Sequence, residues 1–366
     1  MRTIYLDHNA TTRPAAEVVE AVAEAMRADW GNPSSVHRFG QHVRAKVELA
    51  RESVARLINA EAAEIVFTSS GTESCNLAIF GIAYRELSRR AGEQERKAAP
   101  TPTLPRRAGG GGEPHPSRDV IVTTPVEHSA VREAMERLEK QGFTIVRLPV
   151  SRAGLVTPDD LAAAMRSHHG RVALVSIIWA NNETGVIQPL ADLVAAAKAI
   201  DRKALFHTDA VQWVGKLPTD ARALGVDLLS FAGHKFHGPK GIGGLFVRRG
   251  VRLRPQIVGG PHERERRGGT EDVPGIIGLG VAAELALLRF ENGASPQRAQ
   301  RARRGHGESE ESSSQRAPRE AGEEADQSNS ENLSVPFVVS SLHPDARATG
   351  CTELTTHGYE TPSPLD

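Results

Sequence analysis

Between Asp119 and Phe231, short and mostly apolar runs alternate with longer stretches whose apolar residues recur at helical spacing. The runs are Val120–Thr123, Thr144–Leu148, Ala173–Ile178, Ala204–Thr208 and Leu228–Phe231; the stretches include Ser129–Gln141 and Leu190–Ile200. A run of this length fits a strand covered on both faces, and an intervening helix lets successive strands lie parallel. The alternation restricts this part of the chain to an α/β domain built on a largely parallel sheet. On such sheets ligands bind beyond the carboxyl ends of the strands.

The residues before Asp119 carry the same pattern at first. Pro14–Arg27 places Val18, Val19, Val22 and Met26 at helical spacing, and Gly31-Asn32-Pro33 ends that helix. Phe39–Ile58 reads as a second helix with Val43, Val47, Ala50, Val54, Leu57 and Ile58 on one face. Glu64–Thr68 reads as a strand, which Ser69-Ser70-Gly71-Thr72 turns into a further helix. From Ser88 to Ser117 periodicity is lost among Arg89-Arg90, Pro100, Pro102, Pro105 and the run Gly109–Gly112, which predicts a disordered surface insertion. A second loss begins near Gly293: Ala294–Ser330 is dominated by Arg, Glu, Ser and Gln, too polar to bury enough surface against the cost of ordering. The expected organisation is a large domain over residues 1–290, interrupted at about 88–117, followed by a divergent, disordered tail over 291–366.

Composition narrows the function. The formal net charge of the 366 residues is zero, so no global basic field points to direct DNA binding. No run is read as the roughly 20 apolar residues that span a bilayer, and Met1–Thr12 lacks the pattern of a signal peptide. The two cysteines, Cys75 and Cys351, make no disulfide framework, so a reducing cytoplasm is the expected compartment. No metal site is expected.

Three segments carry chemistry. In Ser230–Gly241, Lys235 follows a strand among small residues and glycines, with backbone room for a ligand. Lysine forms Schiff bases with carbonyl compounds, pyridoxal phosphate (PLP) among them, although an isolated lysine of this kind is more often a surface residue in a turn. Phe206–Asp209 is a strand ending in a carboxylate, suited to a protonated pyridine nitrogen or, more commonly, to a helix cap. Ser70-Gly71-Thr72-Glu73 opens a helix, where N–H groups and the Thr72 hydroxyl suit a phosphate; alone it is also an ordinary capping box.

Together with five further motifs these segments resemble the cysteine desulfurase (NifS/IscS-like) family, within the class V aminotransferase group of fold-type I PLP enzymes. The others are Tyr5–Thr12, Asn32–His37, Glu127–Ala130, Asn181–Gly185 and Gly268–Gly275, and the resemblance runs from residue 1 to about 290. It implies a PLP-dependent transferase fold of type I, a mixed, mostly parallel sheet flanked by helices with a small C-terminal domain. It assigns Lys235 to the Schiff base, His128 to ring stacking and proton handling, and Asp209 to the pyridine nitrogen. Asn181 and Gln212 would meet the ring's phenolic oxygen region. Gly71, Thr72 and His234 would hold the phosphate, with Thr270 supplied from the partner of a homodimer. His128 could also simply cap the helix that follows it.

The implied reaction takes sulfur from L-cysteine, leaving L-alanine and an enzyme persulfide that serves iron–sulfur cluster assembly or tRNA thiolation through a scaffold or sulfur acceptor protein. Alternatives are a selenocysteine lyase or another class V PLP lyase, and a non-catalytic PLP-binding remnant. Ala232 stands where many relatives carry a phosphate-contacting serine. Cys351 lies about where the family's nucleophile would, in Ala348–Thr352, but the residues around it do not resemble the family's C-terminal domain. Cys75 reads as a packing residue. With that domain altered, the expected turnover is below about 1 per second.

Overall fold

The computed structural model describes residues 4–98 and 118–293. Seven strands form one sheet: β1 (Ile65–Thr68), β2 (Val120–Thr123), β3 (Thr144–Arg147), β4 (Val172–Ser176), β5 (Leu205–Asp209), β6 (Leu228–Ala232) and β7 (Gly243–Val247). Their order is β1-β7-β6-β5-β4-β2-β3. All neighbouring pairs are parallel except those of β7, which is antiparallel to both β1 and β6. Two reversals around β7 leave β1 pointing the same way as β2–β6, so six strands deliver their carboxyl ends to one edge.

Helices α3 (Gly71–Ala98) and α4 (Ser129–Lys140) cover one face of the sheet. The opposite face packs against α2 (Arg38–Leu57), α5 (Pro158–Ser167) and α6 (Leu190–Ile200), and against α8 (Val273–Glu291), which lies on α1 (Ala16–Ala28) and α2. The short α7 (Ala221–Leu224) precedes β6. Successive strand residues alternate between the faces. Ile65 and Phe67 therefore join the core beneath α2, whereas Val66 joins the core beneath α3.

Several expectations need correction. Helix α3 does not stop at Leu87; it continues to Ala98, so the first eleven residues of the anticipated insertion are helical. Ser88 bonds back to the Tyr84 carbonyl, and Arg89 pairs with Glu86, one turn earlier. Such i,i+3 and i,i+4 contacts sustain a helix without an apolar stripe. Residues 99–117 and the tail beyond Gly293, with Cys351, lie outside the described residues. On α1, Val18 is buried but Val19 and Met26 are 50% and 66% exposed, so the side facing the core is narrower than the spacing suggested.

The antiparallel β7 and helix α8 were not anticipated. At 19 residues and a mean hydropathy of 1.7, α8 is long and apolar enough to cross a membrane by length and composition, and half of it is buried within the protein. Its Gly280 admits α2 closely: an added Cβ would stand 2.7 Å from the Cβ of Ala50. The buried Ile276, Leu279, Ala282, Ala283 and Ala286 make it a core helix of this domain.

Candidate active site

Five strand ends converge on one cleft of about 430 Å³. β1 leads into Ser70, Gly71 and Thr72, and β2 into His128. β4 leads toward Ile178 and Asn182; β5 ends at Asp209 and continues to Gln212; β6 ends at Ala232 and continues to His234 and Lys235. The remaining wall is a strap from the N-terminal segment, including Asp7, Asn9 and Ala10.

The strap is fastened to the lysine loop. The Thr12 N–H donates to the His234 carbonyl at 2.8 Å, and the Thr12 hydroxyl donates to the same oxygen at 2.9 Å while accepting from the His237 N–H at 2.7 Å. The Lys235 Nζ donates to the carbonyls of Asn9 and Ala10 at 2.7 and 2.9 Å. Burial holds the Lys235 ammonium below its ordinary range, against the opposing pull of Asp209 and Asp7. A lysine so lowered gives up its proton more readily, which imine formation requires.

Asp209 is buried at the floor, with its Oδ1 accepting the Val211 N–H at 3.0 Å. Burial raises its carboxyl, while that N–H, His128 and Lys235 act the other way. Strand alternation puts His207 on the same face as Asp209, and its neighbours fix it between two hydroxyls: Ser176 at Nδ1 and Ser230 at Nε2, both 2.9 Å away. Burial pushes His207 down to about 3, so the ring is neutral and carries structure rather than charge.

Glu127, just before His128, was noted within a motif but given no role by the sequence. Its Oε1 accepts from the Thr124 hydroxyl at 2.7 Å and from the Ile178 N–H at 3.0 Å, tying the His128 loop to the end of β4. Burial, with a smaller push from Asp209, raises its carboxyl to about 8. The folded protein therefore keeps a proton that the unfolded chain releases near 4.5. The stabilisation tied to that proton is complete below the unfolded value and is lost as pH rises toward 8, at up to about 1.4 kcal/mol per pH unit. Glu127→Gln should remove this loss, so its melting temperature should gain on the wild type between pH 5 and 8. Parallel melting curves across that range would show that the carboxyl is ionised throughout.

His128 does cap α4, its Nδ1 accepting the Ala130 N–H at 3.2 Å, and its ring also lines the cleft. In the neutral ring this leaves the proton on Nε2. At the other end, Gly71 and Thr72 begin the 28-residue α3, whose N-terminus favours an anion. His234 stands beside them, held below its ordinary value by burial first and then by Lys235, Lys240 and Lys216. Of the two asparagines, Asn182 rather than Asn181 borders the cleft. The Asn181 amide is committed to its own turn, accepting from the Glu183 and Thr184 N–H groups at 2.9 Å each and donating to the Val126 carbonyl at 2.9 Å. Gln212 lines the cleft, whereas Thr270 is exposed and is not among the lining residues. Cys75, in the second turn of α3, is fully buried, and burial and then Asp209 drive its thiol well above its usual range.

The donor set fits PLP. A buried carboxylate at the floor suits a pyridinium, a helix N-terminus with a histidine suits a phosphate, and a lysine of lowered basicity suits an aldehyde.

The comparisons with known proteins agree. Residues 4–92 and 110–337 match the model of the aminotransferase class-V family. The cysteine desulfurase IscS of Dictyoglomus turgidum is 45% identical over 290 residues, 79% of this chain and 65% of that protein. The one from Methanosarcina thermophila is 42% identical over 290 residues, 79% of this chain and 64% of that protein. Among solved structures, a NifS-like protein superposes with a TM-score of 0.71 at 36% identity, covering 84% of this chain and 75% of its own. SspA in complex with cysteine gives 0.66 at 34%, covering 77% and 72%.

The fold and the cleft are those of the fold-type I PLP-dependent class. The chain belongs to the class V aminotransferase family. It spans slightly less than two thirds of the length of those two curated relatives, 65% and 64%.

Proposed function

We propose that this chain is a cysteine desulfurase, releasing sulfur from L-cysteine as an enzyme persulfide and leaving L-alanine. The observation that carries the reading is the meeting of Lys235, Asp209, His128 and the Gly71-Thr72 turn in one cleft. Bound through Lys235, PLP supplies an electron sink for the substrate's α-carbon.

Asp209 would hold the pyridine nitrogen protonated, Gly71, Thr72 and His234 would hold the phosphate, and Gln212 would meet the phenolic oxygen. His128 would stack on the ring, with a proton available at Nε2 of the neutral imidazole. Lys235 would move the α-proton of the substrate. A cysteine thiolate then attacks the substrate sulfur: the substrate's C–S bond breaks, an S–S bond forms, and the carbon left behind takes up a proton. The sequence contains two cysteines. Cys75 is a fully buried residue of α3 with its thiol held in the protonated form, so Cys351 is proposed as the acceptor. Thr270 is proposed to reach the phosphate of a second copy in a homodimer. A reducing cytoplasm and delivery of sulfur to a scaffold or acceptor protein complete the reading.

The test is alanine formation from L-cysteine in the presence of a dithiol. Alanine and sulfide should appear in equal amounts, below about 1 per second, and Cys351→Ala should remove both. A chain that takes up PLP but forms no alanine would contradict the proposal and identify a cofactor-binding remnant.

A further inference from the structure

The turn after β5 carries a second lysine, Lys216, to which the proposed chemistry gives no task. The turn is tightly held. The Ala210 carbonyl accepts the Trp213 and Val214 N–H groups at 2.9 and 3.0 Å, and the Trp213 carbonyl accepts those of Lys216 and Leu217 at 3.1 Å each. The Trp213 indole stacks on Trp179, with ring centroids 4.0 Å apart and planes 8° from parallel. Gly215 has a φ of +74°, and an added Cβ would lie 2.4 Å from Phe236, the neighbour of Lys235. The turn is thus pressed against the lysine loop on one side and anchored through Trp213 on the other.

Within this frame the partly buried Lys216 reaches back one helical turn and donates from Nζ to Oε1 of Gln212. The Nε2 of Gln212 donates at 2.8 Å to the Asn9 carbonyl, which also accepts from Lys235. An ammonium has donors and no acceptor. A carboxamide bound to it must therefore present its oxygen to the ammonium and its NH2 group elsewhere. For Gln212 that direction is the strap and the cleft wall it helps to form.

We infer that Lys216 is a positioning residue: its ammonium locks the Gln212 carboxamide with the NH2 group on the cleft side, where it can donate to the phenolic oxygen of PLP. The inference rests on the cofactor reading and not on the desulfurase reading. Without Lys216 the Oε1 end loses its fixed donor, and the Asn9 carbonyl alone is left to select the NH2 end, so the carboxamide is held at one end instead of two. A donor that must first be oriented binds less tightly than one already in place.

The test uses the full-length chain, with PLP uptake followed by the visible absorbance of the lysine-bound cofactor and no L-cysteine present. K216M should bind PLP about tenfold more weakly, the loss of roughly one charge-assisted orienting bond. K216Q should weaken it as well, because a glutamine side chain accepts as readily as it donates and cannot enforce the orientation. If Lys216 acts through Gln212, K216M should cost nothing further in a Q212A background. Wild-type affinity in both K216M and K216Q would overturn the inference. So would a K216M penalty of the same size with and without Gln212, which would indicate a separate structural role. A wild-type chain that takes up no PLP would sink the cofactor assignment, and this inference with it. PLP uptake without turnover of L-cysteine would leave this inference standing and count against the desulfurase reading alone.

Discussion

Arg51→Met is expected to destabilise the protein by about 3–5 kcal/mol, the usual cost of stripping one partner from a buried ion pair. Arg51 and Glu263 are nearly solvent-free, with side-chain exposures of 5% and 1%, and they make two parallel bonds of 2.8 Å. The guanidinium also donates to the Ile65 carbonyl at 3.1 Å and lies 4.4 Å from the centre of the Phe67 ring. The carboxylate accepts the Phe67 N–H at 2.9 Å. One pair therefore joins α2, β1 and the segment that leads to Thr270.

That segment needs an anchor. Glu263, Arg264 and Glu265 have φ values of 48°, 56° and 64°, three consecutive left-handed residues that each carry a Cβ. Such a conformation costs roughly 1–2 kcal/mol per residue and persists only where its surroundings enforce it. Removing Arg51 leaves the Glu263 carboxylate buried beside a strained turn. The melting temperature should fall by on the order of 10 °C, and R51M/E263Q should recover part of the loss because the unpaired charge is gone. A melting temperature for R51M within the error of the wild type would show that the pair is dispensable.

The sequence was most legible where a period repeats. The five mostly apolar runs lie on β2–β6 with ends shifted by at most two residues; β2, β4, β5 and β6 are covered on both faces and need apolar residues at most positions, whereas the edge strand β3 is only partly covered. β7 was missed because Gly243-Gly244 hides a short strand inside what reads as a loop. Helix α8 was missed because glycines and apolar residues surround it on all sides, leaving no polar face to mark a period. The cleft residues could be found from their motifs, since Asp209 ends a strand and Lys235 and Gly71 each follow the end of one. Glu127 and Lys216 could not be assigned that way. Their roles depend on burial and on partners brought close only by the fold: Ile178 for Glu127, and a turn braced by Phe236 for Lys216. The choice between Asn181 and Asn182 was equally hidden, because adjacent asparagines differ only in which one the turn consumes.

Lys235 is the proposed covalent anchor of the cofactor, and the effect of losing it should be complete. Burial lowers both Lys235 and Lys216, the latter to about 8, but Lys235 lines the cleft with Asp209 and His128, whereas Lys216 is not among the lining residues and is bonded to Gln212, and Lys240 is exposed. Lys235→Ala should retain at most loosely held PLP, since phosphate and ring contacts remain while the imine cannot form. The direct measurement is borohydride reduction of the PLP-loaded chain followed by peptide mapping. A pyridoxyl group is expected on Lys235 alone, and none on the Lys235→Ala protein. Label on Lys216 or another lysine of the folded wild-type chain, or label undiminished in Lys235→Ala, would contradict that assignment.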